Sequence, residues 1–296
     1  MNRPILSMIV CLSKKSLPIN YYKKLLYDFS NNFGYHIQID GEPFQYNELD
    51  KLLELLKELN IKDVGIRTNE KITQKEIDLI CKYNIRSIMF KHNNKYLDNN
   101  LRIAKENAIS TEVSVILEKS DINNIDKLIQ QYEQKKINLL VFERSIIAKY
   151  RNTNYDPLEP TDYENVMKKI LKYNLTNQKL GIAISHCPNK ILLHNSEKYV
   201  ENVGGCSAGI ISCAINKNGD IIPCLPLFKV ILGNISSDSI IDVWNNSSII
   251  KQLQNRKLLK GKCGECEFIN SCGGCRAESY YKFNSLFNED ITCWKE

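Results

Sequence analysis

The sequence predicts an α/β protein: a partial (β/α)6 TIM-like barrel followed by a small cysteine-rich domain. Three observations carry this. Short apolar runs alternate with amphipathic helical stretches about six times in the first half of the chain. The helical stretches place apolar residues three and four apart, as in LDKLLELLKEL. Of the 11 cysteines in 296 residues, eight crowd the last third.

The strand candidates are 5–10, 35–39, 63–67, 87–91, 111–117 and 137–142. The helical stretches between them are 18–29, 48–59, 74–83, 99–107 and 123–135. Alternation of this kind predicts parallel strands joined by right-handed crossovers. Six units fall short of a closed eight-fold barrel, so an open or partial one is expected. Residues 148–160, polar with two prolines, read as a linker. A helix over 161–173, with Thr161 or Asp162 able to cap it, and a strand over 180–185 follow. The domain reading is 1–185 for the barrel, 186–204 for a linker and 205–296 for the cysteine-rich part.

Composition is globular, with 43% hydrophobic and 25% charged residues. The net charge is +6, but the lysines are interleaved with acids along the whole chain. This describes a solvated surface and no nucleic-acid partner. No apolar run approaches the ~18 residues of a membrane span, and the N-terminal apolar run lacks a signal-peptide pattern. A cytoplasmic protein with no membrane partner is expected. In a reducing compartment the cysteines call for metal rather than disulfides.

The tight core is Cys263-Gly-Glu-Cys266, five residues, then Cys272-Gly-Gly-Cys275. A CxxC turn aims two thiolates at one centre, and glycine lets the backbone pass close to sulfur. With Cys206, Cys213, Cys224 and Cys293 there are eight candidate ligands, which divide naturally into two four-cysteine sites. Four thiolates suit zinc or a [4Fe–4S] cluster, and spacing alone does not choose between them. Cys11, Cys81 and Cys187 read as small buried hydrophobes; Cys187, in a His-Cys-Pro step, also reads as an exposed thiol. The four histidines, His36, His92, His186 and His194, are scattered and read as surface or packing residues. No paired carboxylates, Ser/His/Asp order or phosphate-binding glycine loop points to another active site.

The C-terminal segment resembles a SPASM domain, the auxiliary-cluster module of radical SAM peptide-modifying enzymes. Cys206, twelve residues, Gly219, four residues and Cys224 fit its first half, with a strand–turn–strand between. LGNISSDSIIDVWNNS, through Trp244, resembles the family's central stretch. The cysteine run over 263–275, then Arg276-Ala277 and Cys293, complete it. One departure is the two-residue gap between Cys272 and Cys275, where many members have three. The resemblance implies two [4Fe–4S] clusters with interleaved ligands. One takes Cys206, Cys213, Cys224 and Cys275, the other Cys263, Cys266, Cys272 and Cys293. It moves the metal from zinc toward iron, and it implies that cluster loss unfolds the domain.

The first half resembles a radical SAM barrel in eroded form. That family places CxxxCxxC after the first strand to hold the cluster that splits S-adenosylmethionine. Here only Cys11 is present, and Lys15 and Pro18 stand at the other two positions. One thiolate does not hold a [4Fe–4S] cluster. The family's Gly-Gly-Glu-Pro appears as Asp40-Gly41-Glu42-Pro43, and its Thr-Asn-Gly as Thr68-Asn69-Glu70. Gly41, Glu42, Pro43, Thr68 and Asn69 are thus a vestigial S-adenosylmethionine pocket, with acidic bulk at Asp40 and Glu70 that puts binding of that cofactor in doubt.

Three functions follow. The first is a pseudo-radical SAM/SPASM protein, not a self-sufficient radical SAM enzyme. It would be a non-catalytic or electron-transfer partner of an active radical SAM enzyme, a precursor peptide, or both, in maturation of a ribosomal peptide. The second is an active peptide- or protein-modifying enzyme that uses an auxiliary or partner-supplied cluster. The third is a zinc-stapled binding module. Because the chain begins at its first strand, an N-terminal peptide-recognition domain is not expected. Peptide recognition would then fall to the barrel, the cluster domain or a partner.

Overall fold

The computed structural model describes residues 3–153, 155–176, 179–185 and 205–295, apart from the side chains of 175 and 185. Strands and helices alternate as read: β1 (Ser7–Leu12), α1 (Ile19–Asn31), β2 (His36–Gly41), α2 (Leu49–Glu58), β3 (Asp63–Thr68), α3 (Gln74–Lys82), β4 (Ser87–Lys91), α4 (Leu97–Glu106) and β5 (Ser110–Ile116). Next come α5 (Ile125–Gln134), β6 (Leu139–Glu143), α6 (Ile147–Arg151), α7 (Pro160–Thr176) and β7 (Gly181–Ser185). Three short strands follow, β8 (Ser212–Ile215), β9 (Asp220–Ile222) and β10 (Gly233–Asn234). Among the described residues no helix is long and apolar enough to cross a membrane.

The chain forms two compact units. The first comprises Met1–Val113 and Ala208–Lys251, the second Ser114–Ser207 and Gln252–Glu296. In the first unit the strand order is β10-β9-β8-β1-β2-β3-β4. Strands β1 to β4 pair in parallel and in sequence. Strand β8, from the cysteine-rich part of the sequence, adds to β1 in parallel, Ser7 opposite Ser212. It turns back through Gly219, at φ +85, into antiparallel β9.

The helices bury the faces that their periodicity describes. Helix α1 buries Ile19, Tyr22, Leu25, Leu26 and Phe29, and α2 buries Leu49, Leu52, Leu53, Leu55 and Leu56. These positions share one side of a 3.6-residue turn. Helix α3 starts on a capping box in which Glu76 accepts the Thr73 N–H at 2.8 Å. Helices α2 and α3 are followed by left-handed Asn60 and Asn84, at φ 55 and 53, a conformation asparagine tolerates. In α3 the buried positions are Ile77 and Ile80. Cys81 is exposed, not the buried hydrophobe expected, because its helical phase turns it away from that face. Cys11, at the end of β1, is buried as expected.

In the second unit β6 pairs in parallel with β7 over five residues. Residues 148–160, expected as linker throughout, begin inside helix α6, which ends on left-handed Asn152 at φ 51. The expected linker 186–204, with His186, Cys187 and His194, lies outside the described residues.

One glycine is fixed by sterics. Gly41 has φ +93, and a Cβ there would lie 2.5 Å from the Leu12 carbonyl oxygen. Strand β2 must pass β1 closely here, because the next N–H, of Glu42, donates to that carbonyl at 2.9 Å. Gly41→Ala is expected to cost about 1–3 kcal/mol, read as a lower urea midpoint at unchanged slope. An unchanged midpoint would mean that the loop relaxes freely.

Candidate metal centre

Four cysteines of the second unit line one cavity of about 370 Å³: Cys263, Cys266, Cys272 and Cys293. Cys263 sits in the short helix Lys262–Glu265, and Cys266 caps its end. Cys272 precedes two glycines in the left-handed region, Gly273 at φ 70 and Gly274 at φ 61. Consecutive positive φ values curl the chain so that its N–H groups turn inward. The Gly274 N–H donates to Cys272 Sγ, the Phe268 N–H to Cys266 Sγ and the Asp290 N–H to Cys263 Sγ, each at 3.4 Å. Three of the four sulfurs are therefore met by backbone donors.

The shape of the site bears on which metal it suits. A lone zinc holds thiolates at about 2.3 Å and leaves no void among them. Here the four cysteines surround a cavity, and among the described residues no three His, Cys, Asp or Glu side chains close around a single ion position. Four cysteines on the wall of one cavity, with N–H groups on their sulfurs, fit a cubane cluster.

The other four cysteines divide between the units. Cys206 and Cys275 belong to the second. The Cys206 N–H donates to the Cys272 carbonyl at 3.1 Å, and Cys275 is buried at the start of the helix Arg276–Phe283. Cys213, buried on β8, and Cys224, half-buried after β9, belong to the first. Burial pushes the thiols of Cys213, Cys272 and Cys275 up to about 12, and that of Cys293 up to about 11. Metal binding must displace those protons.

Behind the cavity lies a buried ionic group that sequence reasoning missed. Arg144, just after β6, donates to both Asp290 oxygens at 2.9 Å and to the Thr292 hydroxyl. The Arg144 and Asp290 side chains are 2% and 0% exposed. Asp290 also accepts the N–H of Cys275 at 2.8 Å and of Thr292 at 3.1 Å. Burial pushes the Asp290 carboxyl up, but the Arg144 charge and these donors outweigh it and leave it below the usual range. Arg144 approaches Glu278 as well, at 3.7 Å, and Glu278 accepts the Tyr155 O–H at 2.5 Å. Burial keeps the Glu278 carboxyl above its ordinary value. No local signal announces Arg144, because its partner lies 146 residues away.

In the first unit, Gly41, Pro43 and Thr68 come together where β2 and β3 end. The Thr68 hydroxyl lies 3.4 Å from the Gly41 carbonyl, while Glu42 and Asn69 are exposed. The two acidic departures turn inward. Asp40 pairs with Arg67 at 2.5 Å, both buried, and also accepts the Gly41 N–H at 2.7 Å. Glu70 accepts the Phe44 N–H at 3.0 Å and the Thr68 hydroxyl at 3.1 Å. Burial nevertheless raises the Glu70 pKa. After β1, Ser13 and Ser16 close a tight turn, with the Ser13 N–H donating to Ser16 Oγ at 2.9 Å. Lys15 and Pro18 are exposed there.

Residues 206–276 match the SPASM family, an iron–sulfur cluster-binding domain. The AdoMet-dependent heme synthase of Methanosarcina barkeri is 27% identical over 156 residues, which cover 48% of this chain and 44% of that protein. Mycofactocin maturase MftC of Mycobacterium tuberculosis is 34% identical over 94 residues, 30% of this chain and 23% of that one. The chain thus spans less than half the length of these curated relatives. Among solved structures, Streptococcus suis SuiB bound to S-adenosylmethionine matches with TM-score 0.76 at 18% identity, over 97% of this chain and 75% of that one. SuiB has also been solved with its precursor peptide SuiA. The chain is thus similar to radical SAM/SPASM proteins: residues 206–276 match their iron–sulfur domain, and the whole shares the α/β fold of SuiB.

Removing one partner of the buried pair leaves the other charge stranded. Arg144→Met is expected to cost about 3–5 kcal/mol, measured by denaturant unfolding of the metal-loaded protein. A loss under about 1 kcal/mol would show that Asp290 draws its compensation elsewhere. Because the Asp290 pKa is lowered on folding, its contribution is present above about pH 4 and is lost as pH falls through the folded value.

Proposed function

We propose that this protein is a pseudo-radical SAM/SPASM protein. It binds two auxiliary [4Fe–4S] clusters and serves a partner radical SAM enzyme, as a non-catalytic or electron-transfer subunit, in the maturation of a ribosomal peptide. The observation that carries this reading is an asymmetry within one chain. The cavity lined by Cys263, Cys266, Cys272 and Cys293 is complete and supplied with N–H donors. Strand β1 carries one buried cysteine, Cys11, and the turn after it has serine, lysine and proline.

The first cluster would take Cys206, Cys213, Cys224 and Cys275, assigned by the sequence resemblance. The second would take the cavity cysteines. Such clusters supply one-electron redox capacity, and the surrounding chain holds them out of water and sets their potential. The Asp40–Arg67 pair and the Glu70 carboxylate support the loss of the S-adenosylmethionine pocket. Asp40 is engaged by Arg67, and Glu70 by the Phe44 N–H and the Thr68 hydroxyl, so these acids of the rim are already bonded within the chain. A peptide-related role is supported by MftC, a maturase, and by SuiB, whose structure holds a precursor peptide.

The test is iron, sulfide and zinc per chain on anaerobically purified protein, with EPR after reduction and a 5′-deoxyadenosine assay. About eight irons, signals of two [4Fe–4S] centres and no 5′-deoxyadenosine are expected. About twelve irons, or cofactor cleavage by the isolated protein, would establish an active enzyme instead. About two zincs that resist iron reconstitution would leave a stapled binding module.

A further inference from the structure

Among the described residues Arg276 is the largest fully buried side chain, 1% exposed. A guanidinium cannot shed its charge, and burying one without an anion is costly. Yet among the described residues its acceptors are three carbonyls and one sulfur. Nη1 donates to the Asn288 carbonyl at 2.7 Å and the Leu286 carbonyl at 3.0 Å, and Nε to the Gly274 carbonyl at 3.5 Å. Nη2 points to Cys263 Sγ at 3.6 Å. The neighbouring carboxylate, Asp290, is committed to Arg144. Carbonyl dipoles orient the guanidinium but do not neutralise it.

The backbone is shaped to permit this approach. Gly274 has φ +61, and a Cβ on it would lie 2.8 Å from Arg276 Nη2 and 2.9 Å from Cys263 Sγ. Any other residue there would wedge the guanidinium away from the sulfur. Cys263 Sγ receives the Asp290 N–H as well, so charged and neutral donors converge on one ligand.

We infer that the Arg276 guanidinium is the built-in counter-cation of the cluster held by Cys263, a positioning residue that raises its reduction potential. The inference rests on the cluster assignment proposed above. Four thiolates around a [4Fe–4S] core leave it anionic, and reduction adds one more negative charge. A fixed cation at ligand distance in a dry site stabilises the reduced state more than the oxidised one. The anion in turn supplies the charge that Arg276 otherwise lacks.

The experiment is an EPR-monitored redox titration of wild-type, Arg276→Gln and Arg276→Lys protein, after iron and sulfide analysis of each. With iron content equal, Arg276→Gln is expected to shift the Cys263 cluster to a more negative midpoint, and Arg276→Lys to stay near wild type. Equal midpoints in all three would overturn the inference. Wild-type protein that takes up no iron would instead overturn the cluster assignment. Should the glutamine variant lose its cluster, wild-type protein grown on arginine labelled with ¹⁵N in the guanidino group gives an independent reading. Pulsed EPR of the reduced cluster is expected to show a ¹⁵N coupling, and its absence would overturn the inference too.

Discussion

The second unit is organised around one carboxylate. Asp290 takes both arms of Arg144, the N–H of Cys275 and the N–H of Thr292, and gives its own N–H to Cys263. Sheet and cysteine shell thereby share a single charge pair. A pair this dry is stable only while both members and all their secondary donors are in place. It therefore acts as a constraint on geometry more than as a source of stability. Move the end of β6, and the loop that carries Cys263 and Cys275 must move with it.

The first unit buries a charge pair of its own. Its Asp40–Arg67 pair lies at the carboxyl ends of β2 and β3, the edge where open α/β sheets present ligand sites. There Asp40 and Arg67 pair with each other, and Glu70 accepts the Phe44 N–H and the Thr68 hydroxyl. Each unit thus buries an Asp–Arg pair, and the second adds four cysteines around a cavity.

Much of this was legible in the residues. The six strand–helix units follow from apolar periodicity, since every helix that packs on a sheet needs a continuous apolar face. The two CxxC turns mark the cysteine core, and the set Cys263, Cys266, Cys272 and Cys293 that lines the cavity is the one the family resemblance implies. What escaped did so for physical reasons. Helix α6 is five residues long and borders a proline-containing polar stretch, too short to show a period. Cys81 was misread because cysteine's general preference for burial was weighed above its phase on α3, where Ile77 and Ile80 define the inner face. Arg144 and Asp290 are 146 residues apart, and a single arginine after a strand looks like any other surface arginine. Charges that pair across a fold leave no local pattern.

Why the distal cysteines persist has two answers, folding and redox, and the surroundings of Cys263 bear on the choice. A staple needs four thiolates drawn onto a closed centre, and zinc would supply that with no space left over. This shell instead lines a cavity, and a guanidinium that among the described residues bonds carbonyls and no carboxylate reaches one of its sulfurs. Beside a centre of constant charge, such a cation acts on stability alone. Beside one that gains and loses an electron, it acts on the difference between two states, and every neighbour that holds it in place becomes part of that difference. The carbonyls of Leu286 and Asn288 and the missing side chain of Gly274 then have a reason to be where they are. They fix how far a permanent positive charge stands from the sulfur through which the electron's charge is felt.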